Sequence, residues 1–255
     1  MIRRIFWISV NTVIELYRDR AVTGFLFVGL LLIFAGQVVA DLSVVERKKM
    51  YIDVGMGAIF LVGIFITLLG GSNVVDREVR ERQVLCTLSK PVPRSAWLVG
   101  KTFGFLFTVG AVIAIMTTFL FVYVRFRVGF WMPVLFLGGF LIFLEMLVLS
   151  SYTILFSTIT SQYLALFLSL MVLVIGHMVD DLKLYWASAS FVVRAAARVL
   201  FFVMPDLESF LASPVVMSYI KVPPNLLISI TLYSVAYLAA CITIATLVMN
   251  RKEIA

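Results

Sequence analysis

The chain of 255 residues is 62% hydrophobic and 14% charged, with a formal net charge of +7. Soluble domains carry roughly 45–50% apolar and about 25% charged residues, so the composition excludes an ordinary water-soluble domain. The charges fall in short stretches between apolar runs and read as membrane-topology signals, not as a nucleic-acid footprint.

Residues 1–20 interleave Ile2, Ile5, Phe6, Ile8, Val13, Ile14 and Leu16 with Arg3, Arg4, Glu15, Arg18 and Arg20. That pattern predicts an amphipathic helix lying in the membrane interface, with Trp7 and Tyr17 at headgroup depth. An apolar run of about 20 residues spans the hydrocarbon core as a helix. Such runs place spans at residues 21–40, 54–75, 102–124, 132–157, 162–180 and 226–249. The expected fold is therefore all-α and polytopic, with six transmembrane helices. Val38, Val39 and Ala40 resemble a signal cleavage site, but a charged stretch precedes the first run and the run is long, so it reads as a retained span. The second run is rich in glycine (Gly55, Gly57, Gly63, Gly70, Gly71), which suits close helix approach in lipid.

Orientation follows from Lys and Arg. With a cytoplasmic N-terminus, inside stretches hold Arg3, Arg4, Arg18, Arg20, Arg77, Arg80, Arg82, Lys90, Arg94, Lys101, Arg251 and Lys252. Outside stretches hold Arg47, Lys48, Lys49, Arg125, Arg127, Lys183, Arg194, Arg198 and Lys221. The inside set is larger and clusters at span ends, so both termini are expected in the cytoplasm.

Residues 76–101 form the most informative loop. A mixed-sign cluster with the i,i+4 pair Glu78 and Arg82 is followed by Val84, Leu85 and Leu88. Lys90, Pro91, Pro93 and Arg94 follow, with an extended turn at the prolines. Ser95 is placed to cap a helix running through Trp97 into the third span. A short apolar helix rimmed by charge suits docking into a groove on a cytoplasmic partner. A solvated anchoring loop is the plainer reading of the same residues.

Within later spans, Glu145 is the one deep acid, and an intramembrane carboxylate suggests function by default. Proton coupling is one reading; a protonated or Ser/Thr-paired carboxyl that holds two helices together is the simpler one. Ser150, Ser151, Tyr152, Thr153, Ser157, Thr158, Thr160, Ser161 and Gln162 are expected to bond between helices, with a polar substrate path as the alternative. His177 is the sole histidine and reads as an interfacial residue near Asp180 and Asp181. No metal site is expected, because three or four suitable ligands are not gathered. Cys86 and Cys241 are too far apart in sequence to suggest a disulfide framework.

Residues 181–225 are apolar enough to tempt a seventh span, but Arg194 and Arg198 would then sit near mid-membrane at about 2.5–3.5 kcal/mol each. An outer interfacial or re-entrant segment fits better, with Pro205, Pro214, Pro223 and Pro224 breaking the chain before the last span.

The run from Leu85 to Lys101, LCTLSKPVPRSAWLVGK behind an acidic and Arg-rich stretch, resembles the permeases of type-2 ATP-binding-cassette (ABC) exporters. The similarity is greatest to the branch with permeases of copper-enzyme maturation and gliding motility. The stretch MPDLESF at 204–210 is similar to that family's Pro-Asn-Leu-Glu-x-Phe, with Pro205 and Glu208 matching and Asp206 where Asn is usual. The resemblance implies a coupling helix within 76–101 that seats on a separate ABC ATPase, and an N-terminal helix that also touches it. It implies two permease copies, an inner-membrane location and export, with a path along the dimer interface. No Gly-x-x-x-x-Gly-Lys-Ser/Thr is present, so no cofactor is expected on this chain; ATP and Mg would sit on the partner. The chain is read as a transport subunit, not an enzyme. An alternative stays open: a permease-like scaffold that passes ATP-driven motion to an extracytoplasmic partner through residues 181–225.

Overall fold

A computed structural model describes residues 2–42, 47–74, 93–129, 131–179, 181, 204–210 and 224–251. Among these residues the secondary structure is helical and contains no strand. Seven α-helices follow in order: α1 (Ile2–Arg18), α2 (Arg20–Leu42), α3 (Arg47–Phe65), α4 (Arg94–Val128), α5 (Val134–Ile159), α6 (Gln162–His177) and α7 (Pro224–Arg251). Helix α3 continues as a π-helical turn, Ile66–Gly70, and then in α form to Val74.

Among the described residues, four segments are long and apolar enough to cross a membrane: Lys49–Val74, Ser95–Arg127, Val134–Ile159 and Asn225–Met249. A fifth arises if Arg3–Arg18 and Arg20–Gly36, bent by 63°, count as one. Their number and apolarity fit an integral multi-pass membrane protein. Helix α6 is apolar but has 16 residues, about 24 Å against a hydrocarbon core of about 30 Å.

The bend between α1 and α2 has a local cause. Asp19 leaves the helical path, and its carboxylate Oδ1 accepts the Ala21 N–H at 2.9 Å. That side-chain cap starts α2 in a new direction. Helix α4 is longer than the apolar run suggested because both polar ends stay helical. It begins at Arg94 behind Pro93 and has no side-chain cap. Ser95 therefore lies inside the first turn, which corrects its expected capping role. At the far end Gly129 takes a left-handed φ of 81° and its N–H bonds the Arg125 carbonyl. The Arg125 guanidinium donates to the Gly129 carbonyl at 2.7 Å and stacks 5.0 Å from the Trp131 ring. A cation there complements the carbonyl end of the helix.

Helix α5 is the centre of the bundle. It packs against α3, α4, α6 and α7, and Leu141, Met146, Val148 and Leu149 are fully enclosed. Helix α2 pairs with α3, stacking Phe25 on Phe65 at 5.6 Å. The outward faces of α2, α6 and α7 stay apolar: Phe27, Phe34, Phe167 and Leu232 are exposed. Such faces belong against lipid or another apolar surface.

Candidate functional site

Two polar constellations stand out in this apolar bundle, and α3 touches both. The first is at the start of α4. Helix α1 lies along α4, with Thr12 buried and Phe6, Trp7, Ile14 and Tyr17 exposed. Glycine permits the contact: a Cβ on Gly104 would lie 2.6 Å from the Ser9 carbonyl oxygen, and one on Gly100 would lie 3.1 Å from the Ile5 carbonyl oxygen. The small residues at i and i+4 form a groove of the kind that brings helices close in lipid. Ser9 Oγ crosses the groove and donates to the Gly100 carbonyl at 2.7 Å. Lys101, 6% exposed, holds Nζ 3.6 Å from Glu15 of α1 and 5.6 Å from the Trp97 ring centre.

A cavity of about 60 Å³ opens beside this junction, lined by Thr12, Glu15, Asp19, Phe25, Asn73 and Lys101 among others. The π-turn forms part of its wall through Ile66, Leu69 and Gly70. A π-turn disturbs the regular ladder of backbone bonds. Side chains take up the Leu69 carbonyl, which accepts from Ser72 Oγ at 3.1 Å and Asn73 Nδ2 at 3.0 Å. Just past the turn, Ser157 of α5 donates to the Ser72 carbonyl at 2.9 Å, pinning α3 to α5.

The second constellation lies 12 residues back along α5 from Ser157, about 18 Å away along the axis. Glu145 Oε1 stands 3.2 Å from His177 Nε2, with side chains 3% and 27% exposed. Their approach is off the hydrogen-bond line, and Oε1 has no aligned donor. On the other side of the ring, His177 Nδ1 lies 3.0 Å from the Leu173 carbonyl oxygen. Phe60 of α3 meets the imidazole edge to face at 5.7 Å.

Residues 204–210 sit on the end of α6. The Leu207 N–H donates to the Gly176 carbonyl at 3.1 Å, and Leu207 and Phe210 are buried. A Cβ on Gly176 would fall 2.8 Å from the Leu207 side chain and 3.0 Å from the Pro205 carbonyl oxygen. The Asp206 N–H donates to the Tyr233 hydroxyl of α7 at 2.9 Å. Tyr233 in turn packs on Phe210 and Tyr237.

The expected site residues divide as follows. Glu78, Arg82, Val84, Leu85, Leu88, Lys90 and Pro91 lie outside the described residues, as do Arg194, Arg198, Cys86 and Asp180. Arg94 opens α4. Pro205 is buried at the end of α6, with Asp206 and Glu208 half-buried beside it.

Glu145 differs from expectation: its neighbour is His177, not a Ser or Thr hydroxyl. The hydroxyls of α5, expected to bond between helices, turn largely to their own helix. Ser150, Ser151, Thr153, Thr158 and Thr160 donate to i−3 or i−4 carbonyls, whose second lone pair is the nearest acceptor, while Ser151 also meets the Cys241 thiol of α7. Ser157 crosses to α3 and donates to a backbone carbonyl there.

Sequence reasoning did not single out the groove of Gly100 and Gly104, although the spacing is legible in LVGKTFG. The pairing of Glu145 with His177 also had a signal. Glu145 lies 15 residues before Thr160 and His177 lies 16 after Ser161, so a tight hairpin there brings them level. No protein-family model matches the chain, and no curated protein matches it.

Proposed function

We propose that this chain is the membrane-spanning permease subunit of an ABC exporter in a cell inner membrane. In this reading it has six spans, cytoplasmic termini and a second copy of itself as partner. A separate ABC ATPase, carrying ATP and Mg, docks on residues 76–101. The observation that supports it most is the junction of α1 with α4. The segment that resembles a coupling loop, 76–101, runs directly into the groove where α1 is held by Gly100, Gly104 and Lys101. Force applied to that segment would reach α4 and α1 as one unit. It would also reach α3, which leads into the segment from Val74.

Helix α3 supplies the route inward. Its π-turn is an irregular element between the Ser72–Ser157 pin and the Phe60–His177 contact. A turn that can pass between π and α registers shifts one half of a helix without melting it. The docking role is tested by Leu85→Asp and Leu88→Asp in the assembled complex. Both variants are expected to insert normally and to lose ATP-coupled transport. Unchanged coupling in both would refute docking through this loop.

A further inference from the structure

We propose that Glu145 and His177 form a binding site for a single proton, whose occupancy fastens the end of α6 and residues 204–210 to α5. A carbonyl oxygen only accepts, so His177 Nδ1, 3.0 Å from the Leu173 carbonyl, carries hydrogen. Nε2 is then left to face Glu145 Oε1 at 3.2 Å. One proton between them is favourable in either form, as imidazolium against carboxylate or as imidazole against carboxylic acid. With no proton, a buried carboxylate faces a nitrogen lone pair. With two, an imidazolium faces a neutral acid and the ion pair is gone. Either change removes the ion pair: with no proton the lone charge is a carboxylate at 3% exposure, and with two it is an imidazolium at 27% exposure without its counter-charge.

The surroundings separate this from a passive pin. Non-helical backbone at membrane depth is tolerated only when protein buries it or when it lines a cavity. Here residues 204–207 are non-helical, lead into a 3-10 turn at Glu208–Phe210 and lie on the end of α6, and their Leu207 N–H takes up the Gly176 carbonyl next to His177. The proton site and the irregular segment are thus one structural unit. The imidazole is the open side of the pair, at 27% exposure, while the carboxylate stays enclosed.

The other groups around the pair are few among the described residues. Residues 204–210 present Glu208, whose charge acts on His177, and Asp206. Helix α3 presents Phe60, with Asp53 seven residues along it, about 10 Å away. Helix α7 presents Tyr233, whose hydroxyl accepts from Asp206. Tyr152 lies two turns further along α5 and packs on Tyr237. Neither Asp206 nor Glu208 has an ion pair with His177, so Glu145 is the acid at contact distance. This inference does not depend on an ATPase partner.

The test uses the full chain in lipid nanodiscs with a tag free of histidine. His177 is the sole histidine, so ¹⁵N-histidine labelling reports one ring. The expected result is that Nδ1 stays protonated across the pH series while Nε2 alone changes state. Hydrogen exchange at the Leu207 amide, corrected for intrinsic rates, is followed over the same series. Protection is expected to peak at intermediate pH and fall about tenfold on both sides. Glu145→Gln and His177→Gln should each flatten that profile, and the double variant should do no more than either alone. A Leu207 profile without a peak in the wild-type protein, or loss of the proton from Nδ1 first, overturns the proposal. So does a profile that survives in both variants. The wild-type measurements decide the matter even where a variant fails to fold.

Discussion

Gly104 of α4 and Ser9 of α1 meet so closely that a methyl group on the glycine would lie 2.6 Å from the serine carbonyl oxygen. Backbone cannot swing aside as a flexible side chain can. Gly104→Ala is therefore expected to lift α1 from α4 at about 1–3 kcal/mol, the usual cost of overpacking. Gly57→Ala, in α3 with open space around it, should instead stabilise by about 0.4–1 kcal/mol through the unfolded chain. Thermal unfolding in lipid gives the two signs. Spin labels at the exposed positions Asn11 and Phe103 give the separation of α1 from α4, which should grow only in Gly104→Ala.

The Lys101–Glu15 contact should respond unequally to loss of its two ends. Glu15 is 45% exposed, so Glu15→Gln is expected to cost less than about 1 kcal/mol. Lys101 is buried with its ammonium 5.6 Å from the Trp97 ring centre, so Lys101→Ala loses a buried side chain and its ring contact as well as the ion pair. Unfolding midpoints of the two variants check the order. Equal costs would contradict it.

Ser157 and Ser150 lie on one helix but use their hydroxyls differently. Ser157→Ala removes a bond to the Ser72 carbonyl of α3. Polar contacts between membrane helices average about 0.6 kcal/mol and reach about 1.7, and a cost in that range is expected. Ser150→Ala removes only a bond to its own Leu147 carbonyl and should be close to neutral. Unfolding of the two variants side by side decides it.

The π-turn makes a sharper prediction. Deleting Leu69 takes the extra residue from the turn, so α3 runs on in α register and residues 71–74 keep their faces. The Ser72 carbonyl still faces Ser157. In the deletion background, Ser157→Ala should therefore cost as much as it does in the intact chain. A double-mutant cycle measures this, and loss of that cost in the deletion background would show that the pin depends on the turn.

Much of this fold was legible because apolar runs fix where helices lie in lipid. The runs 102–124 and 226–249 fall within α4 and α7, the run 132–157 is helical from Val134 on, and the run 54–75 is helical through Val74, the last described residue there. Helix ends were less legible. Lys and Arg at the ends of α3 and α4 continue the helical ladder, so the helices overrun their apolar runs, and hydropathy does not see backbone bonds. Side-chain partnership was the least legible. Glu145 read as an isolated acid because its neighbour is 32 residues away, and the turn at 160–161 had to be folded before His177 came level with it. Ser95 has the residue type of a cap, but Pro93 fixes the backbone first and helix α4 begins without its side chain.

The central claim is that a separate ATPase drives this chain through residues 76–101. It is tested most directly by gentle purification of the tagged protein from its native membranes, with mass spectrometry and an ATPase assay on the eluate. The account predicts a co-purifying ABC ATPase, with hydrolysis that is lost together with the partner in Leu85→Asp and Leu88→Asp. An intact protein that brings down no ATPase, even after mild cross-linking in the membrane, would contradict it.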